Sequence, residues 1–161
     1  MGIKFRTINI ELDSDNFIKF RKDSFRVSFG HEDDFNEQEY IDLIQKRTKE
    51  FPEGYVFVEL DGEVIGQIEV HPREFDGRRI GFVSLFYLIP EFRGKGFGEQ
   101  LKNYVEDLLF RNGITEYHLR VSPTNVNAIR FYEKCGLLKI QEEHHQHIMW
   151  RMGKVISETN T

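Results

Sequence analysis

The sequence predicts an α/β (α+β) domain, one mixed and mostly antiparallel sheet with helices on both faces. Three observations carry this. Hydrophobic periodicity switches between the strand and helix repeats in the order βααβββαβαββ. Three strand-like runs follow one another as a meander between Tyr55 and Ile89. A glycine-rich segment, residues 94–98, then joins the last of these runs to an amphipathic helix.

Each element has its own signal. Ile3 to Glu11 alternates Ile3, Phe5 and Thr7 with Lys4 and Arg6, which predicts a first strand. Asp13 or Ser14 is the expected cap of a helix carrying Phe17, Ile18, Phe20, Phe25 and Val27, ended by Gly30. Asn36 caps a second helix with Tyr40, Ile41, Leu43 and Ile44, closed by Pro52 and Gly54. Tyr55–Leu60 and Glu63–His71 are strands joined by the hairpin pair Asp61-Gly62, and Arg78–Ile89 is the third strand of the meander. A helix with Phe97, Leu101, Tyr104, Val105, Leu108 and Leu109 stops at Asn112-Gly113. Tyr117–Val121 is a strand, Asn125–Lys134 a short helix ended by Gly136, and Leu137–Met152 a hairpin turning near His144. The expected organisation is one domain over residues 1–153 with a frayed tail at 154–161.

Composition narrows the classes. The chain has 161 residues, 39% apolar and 30% charged, with 15 Phe, so it supports a real core and argues against disorder. Its longest uncharged apolar run, Ile80–Pro90, falls short of the ~20 residues of a membrane span. No signal peptide or myristoylation pattern opens the sequence. Cys135 is the single cysteine, which rules out an internal disulfide and a cysteine-based zinc site. The cytoplasm is the expected compartment, with neither membrane nor nucleic acid as partner. A net charge of −5 argues against phosphate-backbone binding and suits a cationic partner.

The densest chemical signal is Leu88-Ile-Pro-Glu-Phe-Arg-Gly-Lys-Gly-Phe-Gly98. Gly94, Gly96 and Gly98 alternate with Lys95 and Phe97 after Arg93, just where a helix starts. Glycine admits close backbone approach, and unpaired N–H groups at a helix start favour an anion such as a pyrophosphate. The spacing departs from the P-loop, and its place after a meander departs from the Rossmann fingerprint.

Together with Tyr87-Leu-Ile-Pro-Glu before it, the pattern Arg93-x-x-Gly96-x-Gly98 resembles the acetyl-CoA signature of GNAT-type N-acetyltransferases. A second family motif follows about thirty residues on: Asn125, Ala128 three later, Tyr132 four after that and Gly136 four further. The resemblance covers Tyr55 to Met152 well and the N-terminal part loosely. It implies an enzyme that moves an acetyl group from acetyl-CoA to a primary amine by direct attack in a ternary complex. By the same resemblance, the backbone of Arg93, Gly94, Lys95, Gly96, Phe97 and Gly98 holds the pyrophosphate, and the Arg93 and Lys95 side chains add charged contacts. Phe86 and Leu88 pair with the pantetheine amides, and the Leu88 N–H polarises the thioester carbonyl. Asn125 shapes the slot, and Tyr132 protonates the departing thiolate. A bulge is implied where the 78–89 strand parts from the 115–121 strand to admit acetyl-CoA.

The match fails at the base. Several family members carry a Glu on the long central strand, where this chain reads Ile80-Gly-Phe-Val-Ser-Leu. Gln67, Glu69 and His71 share one face of the neighbouring strand, which makes Glu69 or His71 the substitute base, with a water relay as the other route. His31-Glu-Asp-Asp34 is an acidic loop suited to a small cationic acceptor. Glu142–His147 reads as a solvated hairpin turn rather than a metal site. A non-catalytic acyl-CoA-binding module and a protein or peptide N-acetyltransferase are the alternatives, and the 137–152 hairpin leaves a homodimer open.

Overall fold

The computed structural model describes residues 2–32, 35–144 and 146–156. The strands are β1 (Lys4–Thr7), β2 (Tyr55–Leu60), β3 (Glu63–Phe75), β4 (Arg78–Leu88), β5 (Glu116–Val121), β6 (Leu138–His144) and β7 (Ile148–Val155). The helices are α1 (Ile10–Phe29), α2 (Glu37–Glu50), α3 (Phe97–Arg111) and α4 (Val126–Lys134). One seven-stranded sheet runs β1-β2-β3-β4-β5-β7-β6. Its pairings are antiparallel except β4 with β5, which α3 connects in parallel. This is the mixed, mostly antiparallel sheet that the periodicity predicted.

Both faces are covered, and each has a core. On one, Ile65, Ile68, Val70, Val83 and Leu119 pack against Leu101, Val105, Leu108 and Leu109 of α3 and Ile129 of α4. On the other, Tyr55, Phe57, Leu85 and Tyr87 meet Phe17 and Phe20 of α1 and Tyr40 and Ile44 of α2. Alternation along each strand divides the residues between these layers.

Three boundaries differ from expectation, each for a local reason. The first strand ends at Thr7 and α1 starts at Ile10, because Asn9, not Asp13 or Ser14, is the cap. Asn9 Oδ1 accepts from the Glu11 and Leu12 N–H groups at 3.0 and 3.1 Å, while Asp13 reaches back to the Asn9 N–H at 2.7 Å. Past His71, β3 runs on to Phe75, pairing Pro72 with Gly81 before the Asp76-Gly77 turn. Both turn residues have positive φ, 49° and 78°, as a two-residue hairpin of this twist requires. At the C-terminal end, the tail is ordered beyond Gly153: β7 reaches Val155, and Ile156 is buried with its N–H on the Thr115 carbonyl at 2.7 Å. The rest of the expected frayed tail, 157–161, lies outside the described residues, as do Asp33, Asp34 and His145.

Candidate active site

The site begins with one extra residue. Glu69 pairs with Leu85 and Val70 with Val83, so Ser84 stands unmatched as a bulge in β4. The Ser84 carbonyl accepts from Arg21 Nη1 of α1 at 2.8 Å. Parallel pairing with β5 covers only Gly81–Val83 against Tyr117–Leu119. Beyond the bulge the two strands part, and a cleft of about 1190 Å³ opens between them. The Ile89 N–H donates to the Ile65 carbonyl on β3. Strand alternation therefore turns the Phe86 and Leu88 N–H groups away from β3, towards the cleft.

The end of the cleft past Leu88 is closed by the start of α3. Gly96 caps it at φ 87° with no side-chain hydrogen bond, so the first-turn N–H groups keep their capacity to bind an anion. Gly94 also has positive φ, 73°. Gly98 serves packing instead. A Cβ there would stand 2.9 Å from the Phe131 ring, so the glycine lets α3 and α4 approach closely. Arg93, expected at a phosphate, lines the cleft but is held by protein partners. Its Nε donates to the Leu88 carbonyl at 2.7 Å and its Nη2 to Asp23 at 3.2 Å, and the guanidinium stacks on Tyr87. It ties the strand end to α1 instead. Lys95 lies over Phe92 and Phe97 faces Phe92 edge-on, and neither side chain lines the cleft.

From α4, Asn125 Oδ1 accepts from the Ala128 N–H at 3.3 Å, as a helix cap. Further along the helix, Tyr132 points into the cleft with its ring 6.2 Å from that of Phe86. Burial, and then Cys135, pushes the phenol above its ordinary value of 10. It stays protonated throughout the neutral range.

Gln67, Glu69 and His71 do share a face, but not the cleft. Glu69 is 1% exposed, takes hydrogen bonds from the Tyr40 hydroxyl and from Gln67 Nε2, and is raised by burial. His71 is 4% exposed; its Nδ1 meets the Tyr55 hydroxyl at 2.9 Å and its Nε2 meets Arg73 Nη2 at 3.2 Å. Arginine can only donate, so Nε2 accepts and the proton sits on Nδ1. Burial, with Arg47 and Arg73 adding to it, lowers this imidazole to about 3. Neither group lines the cleft, which corrects their assignment as direct base: the spacing placed them on the right face, but α1 and α2 cover that part of the sheet.

Of the residues singled out in the sequence, the cleft thus brings together Phe86, Leu88, Arg93, Gly94, Gly96, Gly98, Asn125 and Tyr132. It also gathers Arg21, Arg73, Phe82 and Arg120, which sequence reasoning missed. Arg73 and Arg120 sit at alternating strand positions beside inward-facing neighbours, but nothing local marks them as lining a common space.

Comparison with known proteins places this architecture. The Acetyltransferase (GNAT) family profile matches residues 15–137. An uncharacterized N-acetyltransferase of Archaeoglobus fulgidus is 26% identical over 130 residues, 78% of this chain and 86% of its own length. Among solved structures, Ard1 from Thermoplasma volcanium superposes with a TM-score of 0.78 at 20% identity, covering 98% of this chain and 100% of that one. The yncA protein of Salmonella typhimurium, solved with its cofactor acetyl-CoA, gives 0.73 at 18% identity over 98% and 96% of the two chains. With three quarters of its length inside the family profile, and the bulged β4 and glycine-capped α3 at its centre, this chain belongs to the GNAT acetyltransferase family and is an acyltransferase.

Proposed function

We propose that the chain transfers an acetyl group from acetyl-CoA to a primary amine, both substrates being bound together in the cleft between β4 and β5. The observation that carries this is the parting of the two strands at Ser84, in a cleft that ends at the glycine-capped start of α3, where no side chain takes the first-turn N–H groups. A pyrophosphate fits the N–H groups of the loop and first turn at residues 94–98. The pantetheine arm runs along Leu88 and Phe86, whose N–H groups face it as a neighbouring strand would. The Leu88 N–H then donates to the thioester oxygen as negative charge grows there. The amine nitrogen forms a bond to the carbonyl carbon, the carbon–sulfur bond breaks, the Tyr132 hydroxyl gives its proton to the departing sulfur, and the proton that the nitrogen sheds on becoming an amide returns through water to the phenolate. Asn125 holds α4 and so fixes where that hydroxyl stands.

The amine must shed its own proton first. Glu69 and His71 lie behind the cleft wall, so water takes this proton rather than a side chain in contact with the amine. The guanidinium groups of Arg21, Arg73 and Arg120 help, because nearby positive charge favours the neutral amine.

An acceptor panel with acetyl-CoA, followed by release of free thiol, tests the reading. Turnover with at least one amine, and initial-rate lines that intersect when both substrates are varied, is the expected result. Parallel lines would indicate an acetyl-enzyme and overturn direct attack. Acetyl-CoA binding with no transfer to amines or peptides would favour the non-catalytic binding module.

A further inference from the structure

The sheet face that carries α1 and α2 is not fully covered by them. Past their edge it presents Arg73 from β3, Phe82 from β4, Arg120 from β5 and Arg151 from β7. The Phe82 ring lies within 4.0 Å of the Arg73 guanidinium carbon, 5.2 Å of that of Arg120 and 5.5 Å of that of Arg151. One carboxylate serves two of the three: Glu143 binds Arg120 Nε at 2.6 Å and Arg151 Nε at 2.8 Å. Burial raises Glu143, but Arg151 and Arg120 outweigh it and hold the group at about 2, so it stays charged.

Arg73 differs from its neighbours. Among the described residues it pairs with no carboxylate, and its one hydrogen bond goes to neutral His71. Burial lowers it, and Arg120, Arg47 and Arg151 lower it further, the mark of a cation placed among cations. Arg47 of α2, near enough to act on both Arg73 and His71, likewise has no carboxylate partner among the described residues, and its Nε is buried without a hydrogen bond. Four guanidiniums therefore act on one neighbourhood, where Glu143 pairs with only two of them, Arg120 and Arg151. Such an arrangement costs free energy in the empty chain and gains it when an anion arrives.

This patch opens into the cleft. Arg73, Phe82 and Arg120 line it, on the face opposite α3 and α4; with acetyl-CoA held at the start of α3 as proposed, this side is left to the acceptor. Measured along β4, Phe82 stands four residues before Phe86, about 13 Å at a rise of ~3.3 Å per residue. Resting on the proposed transfer reaction, we propose that the acceptor is an amine that also carries an anionic group, a carboxylate or a phosphate, which Arg73 and Arg120 bind beside the Phe82 ring. The small cationic acceptor suggested by net charge and by the acidic loop does not suit this lining. Of that loop, Glu32 is paired with Arg26 at 3.0 Å, and Asp33 and Asp34 lie outside the described residues.

The test pairs matched amines: ω-amino carboxylates and aminoalkyl phosphates of graded length, the amino alcohols of equal length, and diamines. Calorimetry on the chain saturated with CoA reads binding, and thiol release from acetyl-CoA reads transfer. We expect an anionic amine to bind tenfold or more tightly than its neutral twin, with the preference falling as salt is raised. In Arg73→Gln the ratio should collapse towards one, and in Arg73→Lys part of it should return. The carboxylate and phosphate series show which anion is taken. Preference in binding without turnover upholds this site and overturns the transfer reading. Equal binding of anionic and neutral amines, tighter binding of diamines, no binding of any amine, or an unchanged ratio in Arg73→Gln overturns the site itself, whatever the turnover.

Discussion

Tyr132 and His71 are both sparingly accessible polar side chains, but only the first meets the cleft, and substitution separates their roles. Tyr132→Phe keeps the contacts with Phe86 and Phe131 and removes the acid. Turnover should fall on the order of 10²-fold while acetyl-CoA affinity stays near wild type, as read by steady-state kinetics and equilibrium titration. His71 and Glu69 should instead report through stability. His71 stays neutral in the fold down to about 3 but titrates near 6.5 when unfolded. Across that window the unfolded chain binds more protons, so stability falls as pH drops. Glu69 is raised above 4.5, so the folded chain holds a proton the unfolded one has lost, and its contribution declines as pH rises. Melting curves should therefore fall less steeply towards low pH in His71→Asn, and decline less above pH 4.5 in Glu69→Gln. Both variants should retain the wild-type pH–rate profile; loss of its acidic limb in either would restore that residue as the base. Tyr132 and Asn125 were legible because their motif spacing lies within one short helix. Arg73 and Arg120 were not, because the residues that crowd and neutralise their surroundings come from α2, β6 and β7, distant in sequence.

At the scale of elements, two glycines at the start of α3 have separable roles. Gly96 has φ 87° and nothing within 4 Å of where a Cβ would sit, so Gly96→Ala should cost about 1–2 kcal/mol from backbone strain alone. Gly98 is crowded by the Phe131 ring at 2.9 Å. Gly98→Val should push α4 away from α3, cost roughly 1–3 kcal/mol in denaturant unfolding, and reduce turnover by moving Tyr132. Most element boundaries could be read directly, since Asp61-Gly62, Asn112-Gly113 and the Asn36 cap are local chemistry. The start of α1 could not: Ile8, Asn9 and Ile10 alternate as a strand would, one step out of phase with Ile3 and Phe5, and the bonding of Asn9 with Glu11 and Asp13 that ends the strand is a competition between caps. The bulge at Ser84 has no sequence mark of its own, because it is a mismatch between two strands rather than a property of either.

On the scale of the whole molecule, the sheet is the frame and the two cores keep its faces distinct. Helices α3 and α4 build the donor side, and α1 and α2 close most of the opposite face, leaving a basic corner by β5 and β7. In a chain of net charge −5, the charged residues lining the cleft are thus mainly Arg and Lys, with Glu99 the acidic residue among them. Overall charge points to the opposite acceptor from the one proposed, because composition says nothing about which face a charge occupies. The central claim is that the parted strands and the glycine-capped helix start form the acetyl-CoA site. Calorimetric titration of acetyl-CoA into the wild type and into Gly96→Asp tests it most directly, since the substitution puts a negative charge where the pyrophosphate belongs. One acetyl-CoA should bind per wild-type chain, and binding should be lost in a variant that still melts cooperatively. Equal affinity in the two proteins, or no binding by the wild type, would contradict it.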